Sequence, residues 1–472
     1  MTLVESVLVA NRGEIAVRVI RAAKELGLRA IAVYSELDRN ARHVQLADEA
    51  WNIGPAPAAD SYLNIERMLE VAASANASAV HPGYGFLAEN ANFARAVIDA
   101  GLIWVGPPPE AIATMGDKIT SRVAAAAAGI AAVPGTMEPL ESAEGVTAFG
   151  EEHGYPLVIK AAHGGGGKGL RVVRAATAVN DAFEAACREA DAYFSRAEVY
   201  VEKYLELPRH IEAQIICDTH GNAVFLGERD CSIQRRHQKL IEETPAPSVT
   251  AEQREEIAAA ALAIARATGY ISAGTVEFLM SREGKLYFLE MNTRIQVEHT
   301  VTEAVTGIDL VKEQLRIAAG EPLSFSDVEP RGHAIEFRVN AENPARNFMP
   351  SPGTIVEYHE PGGPGVRVDS GVTAKSVISQ YYDNLVAKLI VWGRDRTEAI
   401  ERGRYALESF EITGLVTTIP AHQTIIDTEG FRSGEYSTRF VEESVDFSDL
   451  DLEVTPHLPS DEELEERSIT VE

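Results

Sequence analysis

Lysine is the scarce residue of this chain. Of 43 basic side chains 10 are lysines and 33 arginines, against 71 Asp and Glu, for a formal net charge of −28. Nothing in such a composition neutralises a phosphate backbone broadly, so nucleic acid is excluded as a partner. An acidic, lysine-poor surface is what adaptation to high salt would produce, because a Debye length of about 3 Å in molar salt screens like-charge repulsion. The plain alternative is an ordinary acidic protein. Apolar runs are short: no stretch of about 18 apolar residues occurs, and Met1-Thr2-Leu3-Val4-Glu5-Ser6 lacks the basic region and cleavage site of a signal peptide. A soluble, cytoplasmic chain with no membrane association is expected. Cys187, Cys217 and Cys231 are scattered without metal-ligand spacing and are read as reduced and mostly buried.

Two nucleotide signatures are missing as well. Asn11-Arg12-Gly13-Glu14 follows the first strand where a dinucleotide fingerprint would sit, yet it lacks G-x-G-x-x-G, which argues against a nicotinamide site. A glycine run at 164–167 is followed by Lys168 and Gly169 rather than by Lys and Ser or Thr, which excludes a Walker A loop.

What is present fits a large α/β enzyme with room for about three domains in 472 residues. Strand and helix patterns alternate through the first 115 residues, with strands at 6–11, 29–34, 79–81 and 102–105, which argues for a doubly wound parallel sheet. The turn His81-Pro82-Gly83-Tyr84-Gly85-Phe86 lies past a strand end, where pockets form in open α/β sheets. A second region is expected over 116–330, with a lid at about 132–205, and a third over 331–445. Residues 442–472 hold 12 acidic side chains and one arginine, so the tail from 446 is expected to be flexible, with a strand-like hint at Ile469-Thr470-Val471.

The densest chemistry lies at 277–299. Residues 274–280 and 285–291 read as half-buried strands around Ser281-Arg282-Glu283-Gly284, and a two-residue turn at Glu283-Gly284 sets Glu277 opposite Glu290. Like charges facing each other on a ladder call for a cation, and oxygen-only ligands suit Mg²⁺ or Mn²⁺. Asn292 shares the face of Glu290, and Arg294, Gln296 and Glu298 continue it while the chain stays extended. A solvated hairpin edge is the bland alternative, against which stand Val276, Phe278, Phe288 and Leu289. Upstream, Lys160 precedes the glycine run, whose N–H groups can cradle phosphate oxygens if it is a flap and not a loose hairpin tip. The polar run 228–239 would face solvent if it stood alone, but it directly follows the apolar strand 223–227.

Assembled, these motifs resemble the biotin carboxylase family of ATP-grasp ligases from about Val7 to about Glu442. The resemblance is carried by Ala10-Asn11-Arg12-Gly13-Glu14-Ile15-Ala16, the turn 81–87, Met115-Gly116-Asp117-Lys118, the glycine flap, the runs 228–239 and 290–299, and Arg338-Val339-Asn340-Ala341-Glu342. It implies a doubly wound N-terminal domain, an ATP-grasp region with a hinged lid and a C-terminal antiparallel domain. It also implies the reaction, in which ATP and bicarbonate give carboxyphosphate, whose CO₂ passes to biotin on a carrier protein. Lys118, Lys160, Gly166, Gly167, Glu202, Lys203, Leu205, His210 and His237 resemble the nucleotide pocket, with backbone groups of Lys203 and Leu205 facing adenine. Glu277, Glu290 and Asn292 resemble the metal ligands. Lys239, Arg294, Gln296 and Val297 resemble the bicarbonate site, Glu298 the general base, Arg338 the group that stabilises the biotin enolate, and Tyr84 a neighbour of the biotin ring. The flap departs from one common variant, with Lys168 and Leu170 where that variant has Arg and Met.

The implied partners are a biotin carboxyl carrier protein or domain, a carboxyltransferase subunit and a second copy of the chain as a homodimer. No Met-Lys-Met biotinylation motif occurs, so the chain is expected to be either a separate subunit or part of a longer one. The competing readings are another ATP-grasp ligase that joins an acyl phosphate to an amine, the equivalent part of a pyruvate carboxylase, or a non-catalytic ATP-binding subunit.

Overall fold

The fold was analysed in a computed structural model, which describes residues 4–136, 138–161, 170–194, 198–450 and 452. Five parallel strands open the chain: β1 (Ser6–Val9), β2 (Arg29–Ser35), β3 (Glu49–Gly54), β4 (Ala79–His81) and β5 (Ile103–Trp104), in the order β3-β2-β1-β4-β5. The central strand β1 reads Ser-Val-Leu-Val and is buried throughout, as a parallel strand covered by helices on both faces must be. The edge strand β3 has no counterpart in the expectations above. Its sequence Glu-Ala-Trp-Asn-Ile-Gly buries only Ile53, so the alternation that marks an inner strand is absent.

The chain leaves β1 for β2 and β3 on one side, then returns to β4 and β5 on the other. That reversal opens a crevice at the C-terminal ends of β1 and β4. The loops meeting there are tied by Asn11, whose Nδ2 donates to the carbonyls of Pro82 and Tyr84, both at 2.7 Å. Gly83 is required at this crossing: its φ is +63°, and a Cβ there would lie 2.9 Å from Asn11 Nδ2.

A small antiparallel sheet follows, with β6 (Leu157–Ala161), β7 (Leu170–Val173) and β8 (Val199–Lys203) in the order β7-β6-β8, backed by the helices Ala143–His153 and Val179–Phe194. The remaining major strands are β9 (Arg209–Cys217), β10 (Ala223–Arg235), β11 (Gln238–Thr244), β12 (Ser272–Met280), β13 (Leu286–Asn292), β14 (His333–Asn340), β15 (Val366–Ser370) and β16 (Leu385–Gly393). They form one antiparallel sheet in the order β13-β12-β9-β10-β11-β14-β16-β15. Because β11 pairs with β14, the central and C-terminal parts of the chain share this sheet.

Most of the polar run at 228–239 is buried, and only Arg236, His237 and Gln238 at its turn are exposed. β10 continues through it as far as Arg235, and Glu228, Arg229 and Asp230 are buried because each meets an opposite charge: Arg254 at 2.7 Å, Glu212 at 2.5 Å and Arg209 at 3.1 Å. The capping box at Thr250 and Gln253 forms as its spacing predicts and starts the helix Ala251–Ala267. Cys217 and Cys231 are buried and Cys187 half-buried, all three as free thiols. Among the described residues no helix is long and apolar enough to cross a membrane. The glycine run 162–169 and the acidic tail beyond 452 lie outside the described residues.

Three fully buried histidines make the fold sensitive to acid. Burial holds the imidazoles of His43, His81 and His422 at about 4, well below the ordinary 6.5. Between those values the unfolded chain binds protons that the folded chain refuses, so stability rises with pH across the window and is lost as pH falls through it. Each imidazole contributes on the order of 3 kcal/mol of stability across this window. The melting temperature is therefore expected to drop steeply from pH 6.5 to pH 4. A melting series flat over that range would show that these side chains reach water or a counter-charge.

Candidate active site

A cleft of about 1300 Å³ is lined by the crevice loops, the small sheet and the large sheet. Its floor is the hairpin of β12 and β13. Glu277 faces Glu290 there as expected, but by a different route. The loop has three residues, not two: Ser281 N–H donates to the Lys285 carbonyl, and Gly284 has φ +81°. A bulge at Leu289 then restores the shifted register, so that Phe278 pairs with Phe288 while Glu277 still pairs with Glu290.

The two carboxylates are unequal. Glu277 is buried and saturated: Oε1 accepts from Asn292 and Gln296 at 2.8 Å each and from Lys239 at 3.0 Å, and Oε2 meets His210 Nε2 at 2.8 Å. Burial pushes its carboxyl up, but Lys239 and His210 outweigh that and hold it well below the usual range. Burial works to lower the His210 imidazole, yet Glu277 raises it overall. Glu290 stands open to the cleft and makes no hydrogen bond among the described residues. The dense cleft wall and then the charge of Glu277 push its carboxyl up. An under-neutralised carboxylate facing a second one, beside an amide oxygen, is a donor set that fits a hard divalent cation.

Lys239 is the hub of the cleft. Its ammonium donates to Glu298 at 2.6 Å, Glu212 at 2.7 Å and Glu277 at 3.0 Å. Strand β13 ends at Asn292, so the chain does not stay extended as far as Glu298. It turns, and Glu298 becomes the N-cap position of the helix His299–Thr306 without capping it by its side chain. The side chain enters the cleft instead, where its other oxygen accepts from Arg338 at 2.9 Å. Burial raises the Glu298 carboxyl, but Lys239, Arg338 and Arg229 together hold it well below the ordinary value. Arg294 donates to Glu89 and to Asn292 at 3.1 Å each. The Val297 carbonyl accepts from Lys388 at 2.7 Å.

At the other end of the cleft, Glu202 accepts from Lys160 and Arg122. Lys203 turns its ammonium to the Gly154 and Tyr155 carbonyls, and its N–H donates to the Pro134 carbonyl. Leu205 and His237 line the cleft, with His237 at φ +65° in the turn between β10 and β11. Tyr84 donates its hydroxyl to Glu14. Lys118 opens the helix Lys118–Ala127, but its side chain lies outside the described residues, as do Gly166 and Gly167.

Sequence reasoning missed four participants. Arg229 is fully buried and fans out to Glu212, Gln214, Thr275, Gln296 and Thr302, bracing the floor from behind. Glu212 and Glu242 anchor Lys239 and Arg338, and Lys388 supports Val297. Lys388 carried a signal: it interrupts the apolar strand Leu-Val-Ala-Lys-Leu-Ile-Val, where an unpaired lysine is rare.

Comparison with known proteins places this geometry. Residues 3–112 match the family model of the biotin carboxylase N-terminal domain, 117–326 that of the carbamoyl-phosphate synthase L chain ATP-binding domain, and 336–443 that of the biotin carboxylase C-terminal domain. A Nostoc biotin carboxylase is 53% identical over 93% of this chain and 99% of its own length. The chain belongs to the biotin carboxylase family. Within that family, the alpha3 subunit of a biotin-dependent acyl-coenzyme A carboxylase from Mycobacterium leprae is 55% identical, covering 90% of this chain and 71% of the relative. The biotin carboxylase domain dimer of Hydrogenobacter thermophilus 2-oxoglutarate carboxylase, solved with MgADP, ADP and bicarbonate, superposes with a TM-score of 0.88 at 49% identity. It covers 93% of this chain and 97% of that one.

Proposed function

We propose that the chain carboxylates biotin on a carrier protein at the expense of ATP, with bicarbonate as the carbon source, as an ATP-dependent C–N ligase. The observation that carries this reading is the meeting of Lys239 and Arg338 on Glu298, in the same cleft that holds Lys160 and the Glu277/Glu290 pair. Lys160, His210, His237, Glu202, Lys203 and Leu205 bind the nucleotide, joined by Lys118 and the Gly166-Gly167 backbone. Glu277, Glu290 and Asn292 would hold Mg²⁺ or Mn²⁺, which when bound neutralises phosphate charge.

Lys239, Arg294, Gln296 and Val297 orient bicarbonate, and Glu298 takes its proton as general base. A carboxylate held this low is fully ionised but weakly basic. Bicarbonate arriving between Lys239 and Arg338 draws their positive charge away from Glu298 and strengthens it when the proton must move. Arg338 then stabilises the biotin enolate, with Tyr84 near the ring. The relatives' names cover an acyl-coenzyme A and a 2-oxoglutarate carboxylase, so the final acceptor lies with the carboxyltransferase partner, and a homodimer is the expected assembly. The testing experiment is ATP cleavage with and without bicarbonate. Cleavage that needs bicarbonate and rises severalfold with free biotin is expected, whereas stimulation by an amine acceptor without biotin would assign a different ligase.

A further inference from the structure

Behind the catalytic Arg338, two carboxylates face each other across neighbouring strands. Glu242 on β11 and Glu336 on β14 are direct partners across the antiparallel ladder. Their side chains therefore leave the sheet on one face, with Cβ atoms about 5 Å apart. Both are fully buried. Glu242 Oε1 accepts from Arg338 Nε at 2.5 Å, and Glu336 Oε2 accepts from the Thr300 hydroxyl. That leaves Glu242 Oε2 and Glu336 Oε1 buried with no partner among the described residues. Buried acceptors without donors are rare, and two ionised carboxylates on neighbouring rungs add repulsion to the desolvation of each.

One proton, carried on Glu336 Oε1 and donated to Glu242 Oε2, satisfies both orphan oxygens and removes the repulsion. We infer that Glu242 and Glu336 hold this single shared proton in the resting enzyme, and that the resulting acid–carboxylate pair positions Arg338. The inference rests on the proposed role of Arg338 in the carboxylation reaction.

The neighbouring charges point to Glu336 as the acid. Glu242 has a guanidinium against it, whereas Glu336 has a hydroxyl. The other cations within reach are engaged elsewhere: Lys388, paired with Arg338 across the next ladder, holds the Val297 carbonyl at 2.7 Å and Glu14 at 3.2 Å, and Lys239 holds Glu212, Glu277 and Glu298. From β10 comes the Cys231 thiol, pushed well up by burial, from β15 Asp369, paired with Arg367, and from the start of the helix His299–Thr306 its N-cap Glu298 and His299, whose imidazole burial holds well below its ordinary value. Burial is the first influence on both carboxyls. Against it Arg338 acts on Glu242, which stands at about 7, and Lys388 acts on Glu336, which still stands well above the ordinary range, the order that the contacts require. Arg338 is then balanced by Glu242 at one edge and Glu298 at the other. A third full negative charge would add repulsion where the guanidinium must face an anion in the cleft, so loss of the shared proton at alkaline pH weakens catalysis.

The test is infrared difference spectroscopy on the full chain at about pH 8, where exposed carboxyls are ionised. Wild type minus E336Q is expected to show one protonated-carboxyl band, restored in E336D. E242Q should lose the same band, because its amide can donate to Glu336, so the test survives if one variant fails to fold. In kinetics, E336Q should flatten the alkaline limb of kcat while KM for ATP stays within about twofold, and E242Q should lower kcat at least about tenfold. Folded variants whose protonated-carboxyl region matches wild type would overturn the shared proton, whatever their activity. Absence of biotin-stimulated ATP cleavage in wild type would instead overturn the functional reading and leave the proton standing.

Discussion

Glu290→Gln is expected to reduce biotin-stimulated ATP cleavage by about two orders of magnitude or more while the chain stays folded. The two halves of that expectation have different causes. Glu290 is open to the cleft and makes no hydrogen bond among the described residues, so replacing it by its neutral isostere removes no packing and relieves its repulsion with Glu277. Phosphoryl transfer, however, depends on neutralising charge on the phosphates, and Glu277 alone cannot supply the missing ligand because Lys239, His210, Asn292 and Gln296 already occupy its oxygens. Added Mg²⁺ or Mn²⁺ should rescue part of the loss by mass action. The decisive measurement is turnover against metal concentration, alongside a melting curve. A folded variant with near-native turnover and an unchanged metal requirement would remove Glu290 from the metal site.

The hairpin that holds this pair shows how far the sequence could be read. A two-residue turn predicts Glu277 opposite Glu290, and the observed pairing arises from a three-residue loop and a bulge whose shifts cancel. Ser-Arg-Glu-Gly-Lys is compatible with either loop, and a bulge at Leu289 leaves no mark in an apolar run. The candidate site residues that the sequence marks out are those in dense polar motifs past strand ends, such as Tyr84 and the run after Asn292. Those that escaped are charged residues inside strands: Glu242 in Leu-Ile-Glu-Glu, Glu336 in Ala-Ile-Glu-Phe and Lys388 among aliphatics. Periodicity assigns such residues to a strand face, but only the order of strands in the sheet shows that β11, β14 and β16 lie side by side and bring these charges together. The edge strand β3 escaped because half-exposed strands lose the apolar alternation that identifies inner ones.

Glu298→Gln is expected to lower kcat by about 10²- to 10⁴-fold, the usual loss on removing a placed general base, with KM for ATP changed by no more than about threefold. The geometry gives the split. Glu298 touches Lys239 and Arg338 and no residue of the Lys160–Glu202 end where the nucleotide is proposed to bind. A glutamine can accept from one of those cations, but its amide nitrogen then points a donor at the other, so bicarbonate should bind less well as well as react more slowly. Glu298→Asp separates the two effects, because it keeps the charge and the base but withdraws them by one methylene. It should recover part of kcat, whereas a residue that served only to neutralise Lys239 and Arg338 would be replaced by aspartate with little loss. The pH dependence adds a further constraint. With its carboxyl held well below the usual range, resting Glu298 is ionised throughout the neutral and mildly acidic range, so its own titration should not set the acid limb of kcat/KM. If Glu298→Gln keeps its turnover and loses ATP affinity instead, Glu298 is a nucleotide or structural ligand, and the base must be sought among the other carboxylates on Lys239.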